Sequence, residues 1–186
     1  MPVVNKTRYV LLGILNTGAY SGYDIKKGIE RSIGHFWHES YGQIYPILRT
    51  LVQDDLATAH TETLPGRPAR ILYAITDRGR AELRQWLSER IEALPVERNE
   101  FLLKLFFGAE VPLSVTLDHV RQHRRQAEGV LETFGEIQAM LTTAAPTSGT
   151  PFWLATLRYG QAQAEAVLKW CDETITYLTS SEKTDP

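Results

Sequence analysis

The sequence contains a single cysteine, Cys171, among 186 residues. One cysteine excludes a framework of intramolecular disulfides and fits a protein kept in a reducing cytosol. Long hydrophobic runs are also missing, since no stretch approaches the roughly 18 apolar residues of a membrane span. The short apolar run near the N-terminus is not followed by the small-residue cleavage site of a secretory signal. We therefore expect a cytoplasmic protein without a membrane partner.

The chain also lacks the sequence motifs of catalysis. It has no phosphate-binding glycine loop, nucleophile elbow or clustered acid–base pair, so we expect neither an enzyme nor a cofactor. His119 and His123, like His35 and His38, have the spacing of paired metal ligands on a helix. No carboxylate or cysteine stands at a supporting offset, and we interpret both pairs as solvated rather than as a metal site.

Charge of one sign is not in excess, because 20 Lys and Arg stand against 22 Asp and Glu. Residues 1–94 hold 12 basic and 10 acidic residues, whereas residues 95–186 hold 8 and 12. Two arginines and no acid occur between Thr63 and Ala74, where proline and glycine predict an exposed turn. Such local clustering favours nucleic-acid contact in the front half more than the total charge does.

The front half has the pattern of a winged helix-turn-helix. A first helix over 7–16 and a second that Ser21 caps precede a third, which we start near Gly42 so that Pro46 falls almost within its first turn. Ile44, Leu48, Leu51 and Val52 give the third helix one buried stripe.

Two strands follow the third helix, over 57–63 and 70–75, around a turn at 64–68. Alternation in the second strand predicts that Ile71, Tyr73 and Ile75 share one face. Thr76 should cap a fourth helix, whose apolar face comprises Leu83, Trp86, Leu87, Ile91 and Leu94. Pro95 marks the boundary of this first domain, over 1–94.

The polar side of the third helix is the candidate for reading bases in the major groove, with Gln43, Tyr45, Arg49 and Thr50 on it. Its alternative is a solvated polar face, and Ser40 is better suited to capping the helix or touching a phosphate. The second helix would meet the DNA backbone through Tyr23, Lys26 and Lys27, although simple solvation explains each lysine equally well. Arg67 and Arg70 flank the rigid tip and are the first choice for contacts with the backbone or minor groove.

The back half, 95–180, is predicted as a helical dimerisation domain, with a disordered tail over 181–186. From Pro112 a heptad pattern runs along one helix, interrupted by Arg124 and Gln138 as polar residues that could fix the register. A linker over 144–150 leads to a last helix, and the antiparallel pair would dock on a second subunit. The candidate dimerisation residues are Leu113, Leu117, Val120, Leu131, Phe134, Leu141, Leu157, Val167, Cys171 and Leu178.

Aromatic residues could line an effector pocket where the fourth helix meets the back domain, with Arg158 as a cation for a carboxylate. The alternative is ordinary core, which aromatic residues at helical spacing form more often. The candidates for this pocket are Trp86, Phe101, Phe106, Phe107, Trp153, Tyr159 and Trp170.

The chain resembles the PadR family of transcriptional regulators. The matching landmarks lie in order between residues 8 and 87: Leu12-Gly13-Ile14-Leu15, Gly22-Tyr23-Asp24-Ile25, Phe36-Trp37, Ser40-Tyr41-Gly42-Gln43-Ile44-Tyr45-Pro46, Leu48, Leu51, Gly66-Arg67-Pro68, Tyr73-Ala74-Ile75-Thr76, Gly79 and Trp86-Leu87. Asp54-Asp55-Leu56 replaces the family's usual glycine after the recognition helix. In the back half, Leu157-Arg158-Tyr159-Gly160 and Trp170 resemble the long C-terminal domain found in one subgroup and in virulence-gene activators.

The resemblance implies a homodimer that binds a pseudo-palindromic operator and mostly represses transcription. In some members a small aromatic or otherwise hydrophobic molecule relieves that repression. Two alternatives remain open: an activator that cooperates with a second regulator, and a winged-helix protein-interaction module that does not bind DNA.

Overall fold

The computed structural model describes residues 6–37, 41–63, 65–66, 68–91 and 98–182. The chain divides into two compact units, Met1–Leu94 and Pro95–Pro186. Helices predominate in both, and the first unit adds a small antiparallel sheet. This confirms the fold class, a winged helix-turn-helix followed by long C-terminal helices. Within these ranges, no helix combines the length and apolar character needed to cross a membrane.

The described residues of the first unit form four helices and three strands. In chain order they are α1 (Thr7–Leu15), β1 (Tyr20–Ser21), α2 (Gly22–Ser32), α3 (Tyr41–Gln53), β2 (Ala57–Glu62), β3 (Arg70–Ile75) and α4 (Asp77–Ser88). β3 lies between β1 and β2, and both neighbours are antiparallel to it. We did not predict β1, because two residues are too few to show a strand pattern.

The core of the first unit lies between the helices and one side of the sheet. Leu11, Ile25 and Leu48, from α1, α2 and α3, are completely buried, and Tyr73 and Ile75 of β3 join the same cluster. The apolar stripe predicted for α3 is buried, apart from the half-buried Val52. Packing of three helices on the sheet therefore leaves one side of α2 and α3 for other contacts.

Three predictions for this unit need correction. α3 begins at Tyr41, so Pro46 lies inside the helix. Ile71 is 50% exposed although Tyr73 and Ile75 are buried in the core, so the beginning of β3 extends beyond the core. The apolar face of α4 is also shorter than predicted. The helix ends at Ser88, which leaves Leu87 and Ile91 exposed, and Leu94 lies outside the described residues.

The second unit is a pair of long helices with a short helix before them. Its elements are α5 (Glu100–Phe106), a single 3-10 turn (Gly108–Glu110), α6 (Leu113–Thr143) and α7 (Thr150–Glu182). Arg124 contacts Asp172, and Gln138 contacts Gln161, so α6 and α7 run antiparallel. α7 extends through Glu182, which corrects the predicted disordered tail at 181–182; residues 183–186 lie outside the described ranges.

Candidate nucleic-acid interface

The exposed side of α3 carries the side chains predicted to read bases. Ile44, Leu48 and Leu51 are at most 2% exposed, which fixes the rotation of the helix. Gln43, Tyr45, Arg49 and Thr50 are therefore on the opposite side, and all four are exposed. The Thr50 hydroxyl donates to the Pro46 carbonyl at 3.2 Å, within the helix. Ser40, the predicted cap, lies outside the described residues.

The first turn of α2 is held by a reciprocal capping box. The backbone N–H of Asp24 donates to the Ser21 hydroxyl at 3.2 Å, while the Ser21 N–H and hydroxyl donate to the Asp24 carboxylate at 3.2 and 2.7 Å. Hydrogen bonding to the Ser21 side chain lowers the pKa of Asp24, and the nearby cations Arg70 and Lys27 lower it further, against an opposing effect of burial. The start of α2 is thus rigid and carries an ionised carboxylate.

The exposed side of α2 carries the residues predicted to meet the DNA backbone. Tyr23 is 54% exposed, and the Lys27 ammonium lies 4.7 Å from the centroid of its ring. Lys26, on the same helix, is half-buried. A cation held over an aromatic ring gains some order before any ligand binds. The Tyr23 hydroxyl and the Lys27 ammonium are therefore suited to contact neighbouring phosphates.

Gly22 joins α2 to the exposed side of α3. A Cβ atom at this glycine would lie 2.5 Å from Cε1 of Tyr45, closer than side chains tolerate. The Tyr45 ring therefore packs directly on the backbone of the first residue of α2. This contact places a predicted base- or phosphate-contacting residue beside the capping box.

Arg70 connects the wing, which is β2, β3 and their connection, to the same turn of α2. Its Nε donates to Glu62 Oε2 at 2.6 Å, directly across the strand pair, and its Nη1 lies 3.8 Å from Asp24 Oδ2. Gly66 at the wing tip has a φ of +73°, which glycine adopts without strain. Arg67, the other predicted wing contact, lies outside the described residues.

Glu62 is the residue that our sequence reasoning missed. It faces Arg70 across the hairpin, and counting outward from the strand ends would have placed the two opposite each other. Asp24 could be predicted as part of a helix cap, but its approach to Arg70 depends on how the sheet packs beside α2.

Two family models together match most of the chain. Residues 11–85 match the "Transcriptional regulator PadR-like family", and residues 97–179 match "Virulence activator alpha C-term". The chain thus combines a PadR-like domain with a C-terminal domain of the virulence-activator type. The homologues that share these domains are winged-helix transcriptional regulators and not enzymes.

Individual PadR-like relatives agree with the family models. The negative transcriptional regulator PadR of Bacillus subtilis is 28% identical over 76% of this chain and 78% of its own length. A probable transcriptional regulator of Mycobacterium tuberculosis is 29% identical over 91% of this chain and 96% of its own. The crystal structure of Bacillus subtilis PadR in complex with operator DNA covers 92% of this chain and 98% of its own, with a TM-score of 0.82 at 23% identity. The crystal structure of Bacillus subtilis PadR in complex with p-coumaric acid covers 96% of this chain and 98% of its own, with a TM-score of 0.77 at 22% identity.

The residues predicted for an effector pocket belong to both units of the chain. Trp86 stacks on Tyr9 within the first unit, with ring centroids 4.4 Å apart. In the second unit, Tyr159 accepts a hydrogen bond from Gln163 and is exposed, as is Arg158. Trp153 lies against Gly149.

Other aromatic residues of the second unit do come together. Phe101 stacks on His123 at 4.3 Å and meets Trp170 edge-on at 5.9 Å, while Phe106 and the exposed Phe107 form an edge-on pair at 5.1 Å. An open cavity of about 270 Å³ lies between α5 and α6. Phe101 and His123 line it, but none of Trp86, Phe107, Trp153, Arg158 and Tyr159 does.

The apolar residues predicted for dimerisation, which we call the heptad seam, lie where α6 and α7 of the same chain pack together. Val120 and Cys171 are completely buried where α6 meets α7, and burial raises the pKa of the Cys171 thiol. The other seam residues are buried or half-buried: Leu113, Leu117, Leu131, Phe134, Leu141, Leu157, Val167 and Leu178. The completely buried Val120 and Cys171 have no surface left for a second subunit, whereas the half-buried seam residues remain candidates for dimerisation. Exposed apolar side chains cluster on α5 and just after it, at Leu102, Leu103, Phe106 and Phe107, and others are spread along α6 and α7, such as Met140 and Phe152.

Proposed function

We propose that this PadR-like regulator is a homodimeric repressor that binds a pseudo-palindromic operator with α3 in the major groove. The observation that carries this proposal is the first turn of α2, which touches Tyr45 of α3 through Gly22 and Arg70 of the wing through Asp24. The helix that would enter the groove and the wing that would flank it are therefore neighbours. That arrangement suits a duplex, which offers a groove bordered by phosphates.

Each part of this surface has a distinct role in the proposal. Gln43 and Arg49 read base edges, because an amide can pair with adenine and a guanidinium with guanine. Tyr45 and Thr50 on α3, and Tyr23, Lys26 and Lys27 on α2, contact phosphates and set the position of the protein. Ser40 and Arg67 are proposed contacts that lie outside the described residues.

A homodimer is proposed because α5 leaves its apolar side chains uncovered. Phe106 is 82% exposed and Leu103 is 59% exposed, and no residue of α5 is buried. Burying such side chains against a second copy would be favourable by the hydrophobic effect. Phe106→Glu should convert the dimer to a monomer in sedimentation, whereas Phe152→Glu, at another strongly exposed phenylalanine on α7, should not. Equal dissociation of both variants would contradict this assignment.

Repression relieved by a small aromatic molecule is the proposed mode of control. The Bacillus subtilis relative is named a negative regulator and has been crystallised with p-coumaric acid. In this chain, the effector candidates Trp86, Phe107, Trp153, Arg158 and Tyr159 remain proposals, and the cavity beside Phe101 is a further candidate. Titration of the tryptophan fluorescence with a panel of phenolic acids tests the effector class. No response to any of them would remove phenolic acids from consideration.

DNA binding itself is tested on the duplex upstream of the protein's own gene. Gln43→Ala or Arg49→Ala should each cost about 1–3 kcal/mol at the operator, and much less on an unrelated duplex. Arg84→Ala is the control, because Arg84 is an exposed arginine on α4 that is not among the proposed DNA contacts. Absence of binding to any upstream duplex would favour a winged-helix module that contacts protein.

Activation of transcription, rather than repression, is the second candidate function. It is favoured by one observation, the match of residues 97–179 to a domain described for virulence activators. Transcription from the bound promoter, measured with and without the protein, distinguishes them: a repressor lowers it and an activator raises it. A regulator that binds chromosomal DNA in either way acts in the cytoplasm of a bacterium, which is where we propose this one works.

A further inference from the structure

Arg70 is poorly suited to bind a phosphate, because acidic side chains already surround it. Arg70 contributes one positive charge, while Glu62 at 2.6 Å and Asp24 at 3.8 Å contribute two negative charges. Asp24 is ionised at neutral pH, because hydrogen bonding to Ser21 lowers its pKa. Lys27 is the other cation near Asp24, so two positive charges face two negative ones. A phosphate that approaches this cluster therefore meets no excess of positive charge, and it meets a guanidinium that already has partners.

We propose that Glu62 withholds Arg70 from the DNA backbone and so limits the sequence-independent part of DNA binding. This inference rests on the proposed function, since it assumes that the wing lies beside a duplex. Glu62 acts through Arg70 and is a positioning residue, which need not touch DNA itself.

The geometry favours Glu62 over Asp24 as the controlling residue. Glu62 accepts from Arg70 Nε at hydrogen-bond distance and faces Arg70 in the strand register, so strand pairing holds the two together. Asp24 is farther from Arg70, and the same oxygen already accepts from the Ser21 hydroxyl at 2.7 Å. Losing Asp24 would also disrupt the α2 cap, whereas losing the Glu62 charge leaves the cap intact.

A purely structural role explains the pair less well. The side chains of Arg70 and Glu62 are 48% and 30% exposed, and ion pairs with that much solvent contact contribute little to stability. Their electrostatic effect on a polyanion is larger, because each phosphate contact adds about 0.9 to the slope of log affinity against log salt concentration. The pair thus matters more for DNA binding than for folding.

Binding of a random-sequence duplex at several salt concentrations tests the proposal. Glu62→Gln keeps the shape and removes the charge. It should raise affinity roughly threefold at low salt and steepen the salt dependence by up to about one unit of slope. Glu89→Gln removes one negative charge from an exposed position at the end of α4 and should leave the slope unchanged. In an Arg70→Ala background, Glu62→Gln should no longer change the slope.

Several outcomes would overturn the role of Glu62. They are an unchanged slope in Glu62→Gln, weaker binding by that variant, an equal effect of Glu89→Gln, or an effect that persists without Arg70. Glu62→Ala provides a second variant that also removes the hydrogen bond, and thermal unfolding confirms that each variant is folded. Failure of the wild-type protein to bind any duplex would instead count against the proposed function.

Discussion

The ring of Tyr45 lies on the backbone of Gly22, where a Cβ atom would come within 2.5 Å of it. Because Tyr45 is half-exposed, its ring can move aside at moderate cost to folding. The contact therefore determines where this side chain stands relative to DNA more than it determines stability. Residues that never touch DNA can set the shape of the binding surface in this way.

We expect Gly22→Ala to weaken operator binding by displacing Tyr45, with only a small change in unfolding temperature. In a Tyr45→Ala background, the same substitution should have no further effect on affinity. Gly28→Ala is the control, because its Cβ would meet only Ile14, at an ordinary 4.0 Å. Fluorescence anisotropy with labelled operator measures the affinities. Equal loss of affinity in Gly22→Ala and Gly28→Ala would contradict this role for the contact.

The end of α3 contains a residue under backbone strain. Asp55 has a φ of +58°, in the left-handed region where glycine is the residue favoured at the end of a helix. The N–H groups of Leu56 and Asp55 donate to the carbonyls of Leu51 and Val52 at 2.8 and 3.2 Å, which is the Schellman pattern. The turn thus keeps its geometry without the glycine, and the cost falls on the Asp55 backbone.

Asp55→Gly should raise the free energy of unfolding by about 1 kcal/mol, because glycine adopts a positive φ without a Cβ penalty. Asp54→Gly should lower it instead, since Asp54 has no positive φ to relieve and pairs with Arg8 at 3.6 Å. Urea unfolding monitored by circular dichroism gives both values. A destabilised Asp55→Gly variant would show that the Asp55 side chain matters more than its backbone.

Lowering the pH should reduce the free energy of unfolding of the first unit, because Asp24 becomes protonated. Its pKa is lowered in the folded state, so its contribution to stability is present above the unfolded pKa of about 3.9 and is lost as pH falls through the folded value. Ser21→Ala removes the main cause of the shift, so it should flatten this acid dependence and cost about 1 kcal/mol at neutral pH. Ser32→Ala, at the other end of α2, should leave the pH dependence unchanged. The free energy of unfolding, measured from pH 7 to pH 3, tests this prediction. An acid dependence that is the same in Ser21→Ala as in the wild type would contradict it.

Packing of α7 on α6 depends on Gly160. A Cβ there would lie 2.7 Å from Cζ of Phe134, and Phe134 is buried, so it has little room to move. Gly160→Ala should destabilise the second unit by about 1–3 kcal/mol through overpacking. Gly135→Ala, where nothing lies within 4 Å, should stabilise it by up to about 1 kcal/mol through helix propensity. Thermal unfolding compares the two, and a neutral Gly160→Ala would mean that the helices separate easily.

Cys171 should behave as a buried, unreactive thiol. It has no exposed surface, and burial raises its pKa. A thiol-reactive dye at pH 7 should label the native protein only as fast as the protein unfolds, and immediately in concentrated urea. Rapid labelling of the native protein would show that α6 and α7 open locally at this position.

Local patterns in the sequence predicted most of the individual elements. The capping residues Ser21 and Thr76, the stripe of α3 and the two wing strands all appear as expected, because caps and periodicity depend on neighbours within a few residues. The same patterns placed Gln43, Tyr45, Arg49 and Thr50 on one exposed side. Exposure of Ile71 and Leu87 was missed, since the extent of covering elements is not a local property.

The sequence by itself therefore determined the helices, the wing and the family, because these follow from residue type and spacing. Only the tertiary structure decided which partners those residues take. The heptad seam of α6 is satisfied by α7 of the same chain, and the guanidinium of Arg70 is held by Glu62 and Asp24. The physical reason is that an apolar stripe or a charge specifies the chemistry of its partner but not its position, which depends on how distant segments pack.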